Sequence, residues 1–418
     1  MHIVIIGAGI VGACTALESL SRGFQVTIVE PGDPGGEQAA SYGNGCWLSP
    51  ASVIPPATPG LWKRLPGFLL DPLGPLSIRW TALPQLAPWL LRYLLAGWTE
   101  ARVARTARAL RALLADAPVQ HKALAERAGV GALIEQRGFA YVYETRAQFT
   151  AEAMAWRIRA AVGVTWRELD SNDLRQREPH LDRRYGFGVL VEDGGHCRDP
   201  GRYVAALVDQ AVAEGATLRR ARATGFRADA GRLAAVRLED GAEILCDRAV
   251  IAAGIHSRSL AAAAGTRVPL ESERGYHAMI EAPPVGPRTP LMPVDGKMSL
   301  TMTDRGLRCS GQVEMAGVAA PPDWRRAAIL RDHLLRSFPG LPRDLPAERV
   351  RFWMGHRPSM PDGLPCIGWS PGLPQVMFAF GHGHVGLAAA PATARLVSAL
   401  LAGLSPVIDA APYQPSRF

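Results

Sequence analysis

A chain of 418 residues is too long for one simple core and predicts two interleaved domains. Its 48% apolar and 20% charged residues are ordinary for a soluble globular enzyme, and its six cysteines are scattered, which excludes a disulfide framework and points to a reducing, cytoplasmic setting. With no CxxC pair and no histidine cluster at ligand spacing no metal centre is expected, and the formal charge of +8 has no nucleic-acid module beside it, which excludes nucleic acid as a partner.

The stretch HIVIIGAGIVGACTALESLSRGFQVTIVE opens the chain. It predicts a buried strand (His2 to Ile6), a glycine loop (Gly7, Ala8, Gly9, Ile10, Val11, Gly12), an amphipathic helix and a second strand ending in Glu30. Gly7 permits the tight turn, Gly9 lets backbone approach a pyrophosphate, and Gly12 lets the helix pack on the sheet. The helix N-terminus then offers free N–H groups to the phosphates. Glu30 is placed to accept from ribose hydroxyls, which favours FAD or NAD over NADP. A plain structural turn would not need an acidic residue there. The N-terminus lacks a basic n-region, so export is not expected.

A Pro- and Trp-rich segment follows (Pro50 to Pro88). The apolar run Leu83 to Trp98 is cut by Pro84, Pro88 and Arg92, and predicts a helix of the substrate domain; a surface dip into lipid is the second reading. Arg102, Arg105, Arg108 and Arg111 recur every three residues, marking a solvated helix face, with an acidic membrane surface or a partner protein as the second reading. GFAYVYET (138–145) predicts a strand and Gln148 to Ala161 a helix. A strand, a loop and a helix from Pro200 follow, with Asp199-Pro200 as its start signal. Turn signals at Ala230-Gly231 and Asp240-Gly241 predict an antiparallel meander, then a buried strand, Arg248 to Ala252, ending in Ala253-Gly254. The last stretch predicts a strand over QVMFAF, the turn GHGHVG and a helix to Leu401. No repeat or low-complexity linker interrupts the chain.

Five segments together resemble the FAD-dependent amine and amino-acid oxidoreductases typified by D-amino-acid oxidase, glycine oxidase and sarcosine oxidase. They are GAGIVG with Glu30, AASYGNGCWLSP (39–50), EDGGHCRDPGRYVAAL (192–207), the strand ending AAG (252–254), and GHRPSMPDGLPCIG (355–368) with FGHGHVGLAAAPATARLV (380–397). Within that superfamily the closest resemblance is to the bacterial D-amino-acid dehydrogenase small-subunit group. The resemblance implies an α/β fold: a discontinuous Rossmann-type FAD-binding domain (1–50, 145–263 and 355–418) and an interleaved α+β substrate domain on an antiparallel sheet (51–144 and 264–354).

It also implies site roles. Gly355-His356-Arg357-Pro358 resembles the Gly-Leu-Arg-Pro of glycine oxidase, so Arg357 is expected to hold the substrate carboxylate; an ion-paired structural arginine is the rival reading. Asp362, in the turn after it, is expected to be structural. Gly383, His384, Val385, Gly386 and Leu387 are expected to contact the flavin at a helix N-terminus, with His384 facing either the substrate or only its loop. Ser41, Tyr42, Gly43, Asn44 and Gly45 match the segment under the isoalloxazine. Tyr276 and His277 are substrate-side candidates, and a buried structural tyrosine is the alternative. No cysteine lies at 355–358, where sarcosine-oxidase-like members attach their flavin, so the FAD is expected to be non-covalent.

The implied reaction oxidises a D-amino acid to its imino acid, hydrolysed to the 2-oxo acid and ammonia, with electrons passed to a quinone or other carrier. Deprotonated amine can give up its hydride directly, so no general base is required. Alternatives are a cyclic or N-alkyl donor (D-proline, cis-4-hydroxy-D-proline, sarcosine) or a flavin subunit of a larger complex. A cytoplasmic location follows, with peripheral contact at the inner membrane or partner subunits as the further readings.

Overall fold

The computed structural model describes residues 1–64, 67, 70, 73–74 and 76–418; the remainder of the predicted Pro- and Trp-rich segment lies outside the described residues. The first strand, His2–Ile6, is buried on both faces, which is why its sequence is a continuous apolar run without alternation. It lies at the centre of a six-stranded sheet with the order Thr217–Arg220, Gln25–Glu30, His2–Ile6, Arg248–Ile251, Val376–Phe380 and Cys366–Trp369. All neighbours are parallel except the last pair. Ile3 and Ile5 pack against the helices Ile10–Ser21, Pro200–Ala213 and Gly386–Leu401. Val4 and Ile6 face the opposite way, onto the meander Ala223–Asp229, Arg232–Leu238 and Glu243–Leu245.

A second, larger sheet carries the strands Val350–Ser359, Glu271–Ile280, Gly306–Met315, Ser299–Thr303, Leu291–Pro293, Phe139–Tyr143, Phe187–Val191 and Arg167–Leu169 in that order, with Leu76–Ile78 added beside Gly306–Met315. Most pairs are antiparallel, as expected of the substrate domain. Helix Arg325–Ser337 covers one face through Ala327, Leu330 and Leu334. The opposite face carries the site described below.

The expected division of the chain differs from this sheet membership in three places. Arg167–Leu169 and Phe187–Val191, placed with the cofactor domain, pair through Phe139–Tyr143 into the larger sheet. The helices Glu100–Leu114 and Ala117–Arg127, placed with the substrate domain, bury Val103, Leu110, Leu113 and Ala125 in the core that holds Ile3 and Ile5. The strand Val350–Ser359 runs across the boundary drawn at 355. We propose to move these segments accordingly.

Arg102, Arg105 and Arg108 lie on the exposed face of their helix, and Arg111 turns in to donate to the Pro50 carbonyl at 3.0 Å. Helix Leu83–Ala96 buries Leu86, Trp89 and Tyr93 and leaves Leu91 and Leu95 exposed. The segment Gly383–Leu401 is long and apolar enough to cross a membrane, but most of it is buried as the core helix against Ile10–Ser21.

Two fully buried histidines tie this core together. His121 donates Nε2–H to the Leu387 carbonyl at 2.8 Å and faces the Tyr203 hydroxyl at 2.9 Å, while His382 pairs with Thr393 Oγ1 at 2.9 Å. Burial lowers each from the ordinary histidine value of 6.5 to about 4. A lowered folded-state pKa means the unfolded chain binds the proton first. Their stabilisation is therefore present above pH 6.5 and is lost as the pH falls through about 4. Each contributes on the order of 3 kcal/mol to that loss. We expect the thermal unfolding midpoint to fall steeply between those two pH values; a flat profile there would contradict the buried neutral assignment.

Candidate active site

The glycine loop is built by contacts that no side chain could share. Gly7 has φ +107°, and a Cβ there would stand 2.5 Å from the Ala252 carbonyl oxygen. A Cβ on Gly12 would stand 1.9 Å from the Gly7 carbonyl oxygen, so the first turn of helix Ile10–Ser21 rests directly on the loop. Gly9 at the N-cap provides no side-chain cap, and Ser41 Oγ accepts from Ile10 N at 3.1 Å. The Glu30 carboxylate accepts from Ala8 N at 2.8 Å and Gly32 N at 3.1 Å, which places it on the rim of the loop. Ala252 N donates to the Ile6 carbonyl, bringing Ala252 and Ala253 alongside Gly7, with Gly254 next in the chain. The predicted residues 7–12, 30, 41, 253 and 254 thus converge. A helix N-terminus whose N-cap glycine supplies no side-chain cap, a tight glycine loop and a carboxylate at its rim fit a dinucleotide with unphosphorylated ribose, as FAD requires.

The segment Ser41 to Gly45 is fastened to the larger sheet. Arg308, 2% exposed, donates to the carbonyls of Tyr42 and Asn44, both at 3.0 Å. Arg305 donates to the Tyr42 hydroxyl and to Asp199, each at 3.1 Å. Asn44 Oδ1 accepts from Cys46 N at 2.8 Å, holding Cys46 at its left-handed φ of +70°. The Trp353 ring covers Gly43 so closely that a Cβ there would stand 2.0 Å from it. A Cβ on Gly45 would stand 2.4 Å from Ser299 Oγ. Trp353 stacks on His277 with ring centroids 5.2 Å apart, and the His277 ring lies 3.4 Å from the Gly43 carbonyl. Burial, with the nearby Arg308 charge, holds His277 neutral, well below its ordinary pKa. It braces the loop.

Strand pleating separates the other candidates. Along Glu271–Ile280, Glu273, Gly275 and His277 share the face that meets Arg357 and Gly43, while Arg274 and Tyr276 lie on the other face, toward Glu314 and residues 317–323. Tyr276 is 1% exposed; its hydroxyl donates to Glu314 Oε2 at 2.6 Å and accepts from Asp323 N at 3.0 Å. These contacts are those of the structural alternative for Tyr276, and we propose that role for it. Tyr276→Phe should cost about 1–2 kcal/mol of stability, because Glu314 loses a donor. It should leave kcat/KM within about twofold of wild type, since no reacting group is touched. A large loss of turnover at normal stability would contradict this placement.

Arg357 pairs in register with Glu273 on the facing strand. Its guanidinium crosses Gly275, where a Cβ would stand 2.3 Å from it, and donates to the carbonyls of Gln312 at 3.0 Å and Gly311 at 3.4 Å. No salt bridge pins it among the described residues, contrary to the ion-pair reading. Burial pulls its pKa down, and the Glu273 charge opposes that.

Glu273, which no motif singles out, is 4% exposed. Its Oε2 accepts from Ser359 Oγ and pairs with His384 Nε2, both at 2.8 Å. Burial pushes this carboxyl up, but the His384 ring, the Ser359 hydroxyl and the Arg357 charge together hold it below the ordinary value, so it is an anion. His384 therefore faces the sheet as well as its own loop. That loop is clamped by the Ser359–His382 bridge and by positive φ at Gly381 (+83°) and Gly383 (+53°). It delivers Gly383–Val385 and the uncapped start of helix Gly386–Leu401 to the same place. Beside Glu273 opens an apolar pocket walled by Leu61, Leu76, Ile78, Trp89, Leu90 and Met315, with Tyr93 at its side. Asp362 holds Arg417 at 2.7 Å, a structural role as expected.

The FAD dependent oxidoreductase (DAO) family matches residues 2–400 of the chain. The chain is 57% identical over 417 residues to a D-amino-acid oxidase of Bradyrhizobium diazoefficiens, covering 100% of this chain and 99% of that protein. It is 31% identical over 435 residues to D-amino acid dehydrogenase 2 of Ralstonia nicotianae, covering 100% of both. In fold it is similar to a glycine oxidase from Geobacillus kaustophilus, with a TM-score of 0.72 at 21% identity over 100% of this chain and 98% of that one. The chain belongs to the DAO family and is an FAD-dependent amino-acid oxidoreductase.

Proposed function

We propose that the chain oxidises a D-amino acid to its imino acid, which water hydrolyses to the 2-oxo acid and ammonia. The observation that carries this is Arg357: a half-buried guanidinium without an ion-pair partner among the described residues, on the strand that the Ser359–His382 bridge joins to the Gly383–Gly386 turn and beside Glu273, which lines the apolar pocket. A planar fork there matches a carboxylate, and fixing the carboxylate fixes the α-carbon. Bound FAD, held non-covalently, supplies the two-electron acceptor for the α-hydrogen. Residues 7–12, Glu30, Ser41, Ala253 and Gly254 would hold its dinucleotide part. Residues 42–45 and 383–387 would hold its ring, and the helix N-terminus at Gly386 would favour negative charge gained beside it. The apolar walls exclude water from the C–H bond.

The names of the relatives divide on the electron acceptor, oxidase at 57% identity and dehydrogenase at 31%. Transfer to a quinone or another carrier is the reading the sequence favoured. The test is formation of 2-oxo acid and ammonia from paired D- and L-amino acids, proline and hydroxyproline included, supplied with either oxygen or a soluble quinone. Product from acyclic D-isomers supports the proposal; product only from L-isomers or only from cyclic amines overturns it.

A further inference from the structure

We propose that Glu273 holds the substrate's α-ammonium, so that Arg357 and Glu273 clamp the zwitterion between them. This rests on the D-amino-acid reading and deepens it by naming the group that meets the substrate's amine. Three observations lead there. Glu273 is paired with Arg357 in strand register, yet the two form no salt bridge: Arg357 meets only the carbonyls of Gln312 and Gly311, and Glu273 meets His384 and Ser359 through a single oxygen. The two charges of an amino acid are carried on one carbon and match two neighbouring protein charges. Only one carboxylate oxygen of Glu273 is used, Oε2, by Ser359 and His384; Oε1 has no hydrogen-bond partner among the described residues, and Glu273 lines the pocket.

A buried carboxylate with one open oxygen is costly to keep unless a donor meets it. The rest of the lining is apolar apart from the Tyr93 hydroxyl, whose ionisation burial and the Glu273 charge both oppose. Among the described residues that lining leaves Glu273 as the one anion for a cation, and the cation that a substrate carboxylate on Arg357 brings with it is the neighbouring ammonium. Ser359 and His384 fix the carboxylate plane so that Oε1 is presented to the pocket.

The test uses ligands that cannot react. α-Methyl-D-leucine has no α-hydrogen, and 2,4-dimethylpentanoate is the same skeleton without the amine. Each is titrated into the FAD-loaded protein, wild type and Glu273→Gln, following the flavin spectrum. The expected result is that Glu273→Gln weakens α-methyl-D-leucine about 30-fold, as for loss of a charge-assisted hydrogen bond, and does not weaken 2,4-dimethylpentanoate. Glu273→Asp should fall between the two proteins. Equal weakening of both ligands, or of neither, overturns the ammonium role. So does a loss confined to D-lysine and D-arginine, measured as KM, which would assign Glu273 to a cationic side chain. If the wild-type protein binds neither probe, the D-amino-acid reading itself fails, and this inference with it.

Discussion

Arg357→Ala should lower kcat/KM by about a thousandfold while the protein keeps its FAD, because truncating one member of a buried charge pair costs about 4 kcal/mol. The expectation separates two roles for the residue. If Arg357 served only the sheet, its loss would free the carbonyls of Gln312 and Gly311 and appear as a lower unfolding temperature with substrate affinity unchanged. If it holds the substrate carboxylate, binding of simple carboxylates should weaken together with turnover. Arg357→Lys should recover little of either, since a point charge on a flexible stem does not reproduce the fork. Measurement of kcat, KM and carboxylate binding on the FAD-loaded variants decides between them; retained wild-type affinity would contradict the anchor assignment.

The glycine loop gives a second large effect. Gly12→Ala would drive a Cβ to 1.9 Å from the Gly7 carbonyl oxygen, backbone against backbone, where nothing flexible can yield. The helix must lift from the loop, and we expect a loss of about 3 kcal/mol or more together with loss of the cofactor. Gly9→Ala is the informative partner. Its Cβ would meet only Ser41 Oγ at 3.5 Å, and its φ of −67° is open to any residue. That variant should fold with a nearly unchanged melting temperature and lose FAD affinity alone. Flavin content and thermal unfolding, read on both variants, check the pair; a Gly12→Ala protein that stays yellow would contradict the cradle.

The contrast between these glycines shows what was legible in the sequence. The dinucleotide loop is a local object: strand, turn, helix and Glu30 lie within thirty residues, and each glycine acts on backbone a few positions away. The helix start at Asp199-Pro200 was readable for the same reason, since Asp199 caps Arg202 N. Tyr276 and His277 show the limit. They are adjacent, so the pleat sends them to opposite faces, and which one meets the cofactor loop depends on the pairing of Glu271–Ile280 with its neighbours.

Glu273 and Trp353 lay beyond that limit. Nothing near Glu273 in sequence distinguishes it from other acidic residues; its meaning comes from Arg357 and His384, each more than eighty residues away. The Trp353 signal was available only as Gly43 and Gly355, two glycines whose missing side chains make room for one ring. Sheet membership was hard to read for a related reason. Phe187–Val191 reads as a buried strand whichever sheet it joins, and its partner Phe139–Tyr143 is chosen by tertiary pairing.

The most direct test of the proposed chemistry is an anaerobic titration of the FAD-loaded protein with matched D- and L-amino acids, following bleaching of the flavin absorbance. The expected result is stoichiometric bleaching by D-leucine and D-methionine and none by their L-isomers. Bleaching by the L-isomers, or by neither member of any pair, would contradict it.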